Sequence, residues 1–152
     1  MAQESWHELG TIEVTSGAVA VMDAAFGIQT GCLVVLPNGT YKAVSHGRGR
    51  SLDALYLTRV GVKVELNEQS VLGQTWSDAA LIAIADSRVT LGGGAFVAAF
   101  AHAYEAKGLP KRGLLKIGGD AVAFSRTGYD GIWDIIEYVT SSGDRAGLLI
   151  AF

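Results

Sequence analysis

The chain has one cysteine, Cys32, and two prolines, Pro37 and Pro110, in 152 residues. A lone thiol excludes an intramolecular disulfide, so the fold rests on packing rather than on covalent staples. Charge is also scarce. Charged residues make up 18%, and the formal net charge is -3. A nucleic-acid groove needs a clustered basic face. The short pairs Arg48/Arg50 and Lys111-Arg112 are too small for one. No uninterrupted apolar run of about 18 residues is present, which excludes a membrane-spanning helix. Met1 to Gly10 holds no basic stretch followed by an apolar one. A Sec-type leader is therefore not expected, and the expected location is the cytoplasm.

What remains is an apolar, glycine-rich chain. Hydrophobic residues make up 49%, and there are 20 glycines. Many glycines and few helix-length patterns indicate many turns, hence a strand-rich fold. A faint pattern occurs twice. Val19-Ala20-Val21-Met22-Asp23 returns as Ile82-Ala83-Ile84-Ala85-Asp86. Gly39-Thr40-Tyr41, Arg50 and the run Leu52 to Leu57 return as Gly131-Ile132-Trp133, Arg145 and Gly147 to Phe152. Each copy reads as a strand ending in Asp, followed later by a hairpin whose second arm begins after an Arg.

Alternation and turn residues give about ten short strands. Thr11 to Thr15 and Ala18 to Met22 read as a hairpin about Ser16-Gly17. Ala24 to Gly31 reads as irregular. Cys32 to Leu36 and Thr40 to Ser45 read as a second hairpin about Asn38-Gly39. Strands follow at Leu52 to Val60, Val62 to Leu66, Val71 to Trp76 and Ala79 to Ala85, with a break over Asn67 to Gln69. The Ala-rich segment near residues 94-107 reads as one helix, with Phe96, Phe100 and Tyr104 on one face and Gly108 and Pro110 as stop signals. Leu114 to Ile117, Ala121 to Ser125, Ile132 to Thr140 and Leu148 to Phe152 complete the set. The expected fold is mainly β (α+β). It is an antiparallel β-sandwich or strongly bent sheet in one domain, built from two related units at about 10-67 and 71-152.

Ser16-Gly17 precedes a strand ending at Asp23. Pro37-Asn38-Gly39-Thr40-Tyr41 and the strand Arg50 to Leu57 follow. Ser125-Arg126-Thr127-Gly128-Tyr129-Asp130-Gly131-Ile132-Trp133 and a last strand, Gly147 to Phe152, close the chain. This order resembles that of a bacterial family known as domain of unknown function 4241. The chain departs from the family pattern in having Ala24 after Asp23 where Pro is usual, Tyr129 in place of Gly, and Trp133 in place of Tyr. The resemblance implies a bacterial or phage origin. It carries no known reaction and no catalytic residue.

Candidate chemistry is sparse. Asp23 and Asp86 end equivalent strands. Brought together they would bind a divalent cation or act as acid and base; the plainer account is that each caps a turn. Asp120, Asp130 and Asp134 surround the last hairpin without EF-hand spacing. Gly92-Gly93-Gly94 precedes the helix but lacks a phosphate-loop pattern. His7, His46 and His102 are too dispersed for a local metal site. His46, in a Gly/Arg loop, is the best general-base candidate. Ser16 and Ser125 lack a nucleophile elbow. Cys32 reads as a small buried filler. No cofactor motif appears.

The reading that follows is a non-enzymatic module acting on a protein partner, in the manner of an immunity or accessory factor. Its assigned contact residues are Arg48, Arg50, Tyr129 and Asp130, in loops taken as equivalent. The apolar composition allows a homodimer. The alternative is a small-molecule or metal-binding protein or hydrolase, with its site between the two units near Asp23 and Asp86.

Overall fold

The computed structural model describes residues 4-48, 51-90, 94-127 and 130-152. In chain order the elements are β1 (Glu4–Val14), β2 (Ala18–Asp23), β3 (Gly27–Val35), β4 (Gly39–Arg48), β5 (Ser51–Arg59), β6 (Glu65–Ser77) and β7 (Leu81–Asp86). Then come α1 (Ser87–Thr90), α2 (Gly94–Ala106), β8 (Arg112–Ile117), β9 (Asp120–Arg126), β10 (Gly131–Val139) and β11 (Arg145–Ala151). They form a mainly β sandwich of two antiparallel sheets. One sheet has six strands in the order β1-β4-β5-β11-β10-β6, the other five in the order β3-β2-β7-β9-β8.

Both orders read the same from either edge when β1 to β5 are exchanged for β6, β7, β9, β10 and β11. Only β8 has no counterpart. Two central pairs mark where the halves meet: Val21 opposite Ile84 in one sheet and Tyr56 opposite Leu149 in the other. The inner faces of both sheets supply the main core, including Ile12, Val21, Tyr41, Leu55, Leu57, Ile84, Ile135 and Ile150, all 1% exposed or less. Burying a side chain of this size is worth about 1.5–3 kcal/mol.

The edges close on matching glycines. A Cβ at Gly10 of β1 would lie 2.1 Å from Cδ1 of Leu114 in β8, and one at Gly73 of β6 would lie 2.6 Å from Sγ of Cys32 in β3. At each edge the missing side chain lets the opposite sheet reach in. Residues α1 to β8 are an insertion between β7 and β9. The helix α2 uses it to cover the outside of the five-stranded sheet. Phe96, Phe100 and Tyr104 recur every fourth residue and stack along one face, and Phe124 of β9 meets Phe100 and Tyr104 edge-on at 5.8 and 5.3 Å. Hydrogen bonds from Gly108 N to Glu105 O and from Leu109 N to Tyr104 O end the helix. The following β8–β9 hairpin turns at Gly118-Gly119, whose φ angles of 60° and 89° suit the type I′ geometry that glycine adopts freely.

Several sequence expectations are corrected. Ser16-Gly17 and Pro37-Asn38 are corners between sheets, not hairpin turns, because β1 pairs with β4 and β2 with β3. The two corners lie side by side, joined by Leu36 N to Gly17 O and Gly17 N to Asn38 Oδ1. Gly27 to Gly31, read as irregular, belongs to β3; pairing with β2 overrides its weak pattern. Asn67 to Gln69 does not end a strand. β6 runs through it with a register shift, so its polar residues loop out of an edge strand as a bulge. Of the expected strand Val62 to Leu66, only Glu65 and Leu66 are in a strand; the rest connects β5 to β6.

Candidate functional site

The antiparallel register places Asp23 opposite Ile82 and Asp86 opposite Val19. The two carboxylates therefore stand at opposite ends of the β2–β7 pair, about 13 Å of strand apart. Each instead closes a corner of the other half. Asp23 Oδ2 accepts from Ser77 Oγ (2.6 Å), Asp78 N (3.0 Å) and Ala79 N (2.9 Å) at the β6–β7 corner, and its Oδ1 accepts from Ala25 N. Asp86 Oδ2 accepts from Thr15 N (2.6 Å) and Ser16 N (3.1 Å) at the β1–β2 corner, and its Oδ1 accepts from Ser16 Oγ and Arg88 N. Both residues are buried, at 0% and 1% exposure. Burial alone would raise the Asp86 carboxyl. The donors from Ser16, Thr15 and Arg88 outweigh it and hold the group below its ordinary value of 3.8. Carboxylates so fully engaged are structural clasps. Each of their four oxygens already accepts at least one hydrogen bond from the protein.

The loop candidates are also separated. Arg48 ends β4 and Asp130 precedes β10, at the same end of the six-stranded sheet, with β5 and β11 between them. Their loops are not equivalent. Strand order matches the β4–β5 connection to the β10–β11 turn, and the segment before β10 to the corner before β4. Arg50 and Tyr129 lie outside the described residues, as do Gly92 and Gly93. His46 sits on the outer face of β4, 4.3 Å from the Trp6 ring. Cys32 is half-buried against Gly73, and burial raises its thiol above the ordinary value despite a hydrogen bond from the Gln74 backbone. Among the described residues no group of three or more His, Cys, Asp or Glu is gathered as a metal ion would require.

The outer face of the six-stranded sheet is where chemistry of another kind collects. An antiparallel sheet normally turns polar side chains to water on its open face. Here cross-strand pairing builds a row Glu8–Val44–Tyr56–Leu149–Ile136–Val71 across all six strands. Five of its six members are apolar or aromatic. The row spans about 24 Å at the usual strand spacing. Trp6 stacks beside it, 5.4 Å from Tyr56, and Tyr138 lies 6.2 Å beyond. These rings border a hollow of about 440 Å³ that Glu8, Lys42 and Thr58 also line. Burial and the neighbouring Tyr56 push the Tyr138 hydroxyl up to about 12. Trp6, Val71, Trp76 and Ile132 remain exposed at 62%, 52%, 38% and 68%. The signal for this face was present in Ile132 to Thr140, where alternation puts isoleucines and a tyrosine outward and Glu137 inward.

A second feature lies at the end of the sandwich holding the Asp86 clasp. Strand β5 must pass β11 and β10 to reach β6, and residues 60-64 make that crossing. A cleft of about 660 Å³ opens between the crossing and the β10–β11 turn, lined in part by Arg59, Lys63, Ser141, Asp144 and Arg145.

No family model, curated protein or solved structure matches this chain. Among the described residues no helix is long and apolar enough to cross a membrane.

Proposed function

We propose that the chain is a non-enzymatic interaction module that binds a protein partner through the outer face of its six-stranded sheet. The observation that carries this reading is the uncovered row Val44–Tyr56–Leu149–Ile136–Val71 with exposed Trp6 beside it. Contiguous apolar surface rimmed by polar residues is the usual mark of a protein-binding face, and Trp and Tyr are its usual anchors. Charges of both signs border the row, Glu8 and Lys42 beside the hollow and Asp134 accepting from Gln74, so the partner chemistry that fits is an apolar centre with a mixed polar rim. Arg48, Arg50, Tyr129 and Asp130 are kept as proposed partner-contact residues on the sequence reading alone. A bacterial, cytoplasmic setting and kinship with domain of unknown function 4241 are proposed on the sequence readings alone.

The test is a photo-crosslinking residue placed at Ile136, with Ala98 on exposed α2 as the control position, in cells that carry the gene. The expected result is one protein adduct from position 136 only, lost when Trp6→Ser and Val71→Lys are added. Purified, that partner should bind the Trp6→Ser/Val71→Lys chain at least about tenfold more weakly than the parent. Equal adducts from both positions, or none from position 136, would overturn the reading.

A further inference from the structure

The cleft under the β5–β6 crossing gathers cations in a chain that is otherwise acidic. Arg145 begins β11 and forms part of its floor. Its Nε donates to Glu137 Oε2 at 2.6 Å and its Nη1 to Val35 O at 3.0 Å. A guanidinium has five N–H donors in a rigid fork, so two inward bonds fix its plane and leave the remaining donors on a pre-set bearing. Glu137 is 9% exposed and also accepts from Asn67 Nδ2. Its charge is spent on Arg145 rather than on the cleft. Arg59 is held in turn by donating Nη2 to Asn38 O at 3.2 Å. Lys63 extends from the crossing, and Ser141 adds a hydroxyl from the turn opposite.

Among the described residues Asp144 is the one carboxylate that lines this cleft. Its Oδ2 accepts from Ser142 Oγ at 3.1 Å, inside a turn that Thr140 also stitches through Thr140 N to Asp144 O. Its Oδ1 has no hydrogen bond among the described residues. A bare anion would meet the cations Arg59 and Lys63, the remaining donors of an Arg145 already paired with Glu137, and one repelling carboxylate. A ligand with an oxyanion at one end and a donor at the other would satisfy both.

We infer that this cleft binds a small organic oxyanion, a phosphate or carboxylate, that also carries a hydrogen-bond donor for Asp144. Arg59, Lys63 and Arg145 receive the oxyanion, as charge-assisted hydrogen bonds to Arg and Lys commonly do. Asp144 selects the donor-bearing end. The site is independent of the outer sheet face, so either can fail without the other.

Calorimetric titration of the full chain with inorganic phosphate, ribose 5-phosphate and L-glutamate, each against sodium chloride of equal ionic strength, tests it. Saturable binding of ribose 5-phosphate or of glutamate is expected, and which of them binds tells phosphate from carboxylate. Arg59→Gln/Lys63→Gln should weaken that binding roughly tenfold or more. Asp144→Asn should tighten inorganic phosphate while weakening the donor-bearing ligand. Lys63→Gln alone, at an exposed side chain, keeps the test open if the double variant melts early. No saturable binding above the chloride control, or binding that the cation variants leave unchanged, overturns the site. An Asp144→Asn chain with unaltered preference overturns the donor requirement.

Discussion

The two sheets of this sandwich turn very different faces to the outside. The five-stranded sheet carries a helix, and Phe96, Phe100 and Tyr104 bury its outer residues Met22, Val122 and Phe124. Among the described residues no helix covers the six-stranded sheet, although its outer row is almost as apolar. The covering helix belongs to the insertion between β7 and β9, so only one of the two sheets has acquired a lid. The difference teaches that an apolar outer face is not in itself a core. What distinguishes them is whether the chain supplies its own cover.

Removing the lid's anchor should have the largest effect. Phe100→Ala empties a site 2% exposed between three aromatic rings and should cost about 3–5 kcal/mol in urea unfolding. Asp23→Ala comes next. It strands the buried Ser77 hydroxyl and the Asp78 and Ala79 amides, for roughly 3 kcal/mol by the same measurement. Asp86→Asn should cost less, because the hydroxyl that it holds, Ser16, is exposed where Ser77 is buried, and Asn keeps one acceptor oxygen. Its signature is in acid. The folded-state carboxyl of Asp86 lies below 3.8, so its contribution is complete above that value and is lost as pH falls through the folded pKa. The variant should accordingly flatten the acid limb of a stability–pH curve below about pH 4. The smallest effect belongs to the bare face. Val71→Lys should change stability by no more than about 0.5 kcal/mol. A loss as large as that of Phe100→Ala would mean that the outer row is core after all, and would erase the contrast between the sheets.

The mainly β fold and the single long helix were legible because period-two alternation, glycine turns and the Phe96/Phe100/Tyr104 spacing are local signals. Which strands pair was not. Ser16-Gly17 and Asn38-Gly39 carry ordinary turn chemistry, and the same chemistry serves a hairpin or a corner between sheets. The equivalence of Asp23 and Asp86 was visible, but equivalence about an internal twofold separates two residues at strand ends as readily as it joins them. Antiparallel pairing of β2 with β7 decides for separation. The outer row escaped notice because each member sits on a different strand, and only register assembles them. Arg145 was visible as the start of a strand; its place in a cleft depends on where β5 crosses to β6, a fact of topology.

The exchanged carboxylates have a consequence for how this chain can change. Each half lacks the group that seals its own bend and borrows it from its neighbour, as subunits do when they trade segments. Cut the gene between β5 and β6, and two fragments result, each with an open amide pair and an idle acid. Each would lack the hydrogen bonds that the other supplies. The helical insertion, by contrast, ornaments one half and leaves both exchanged contacts in place.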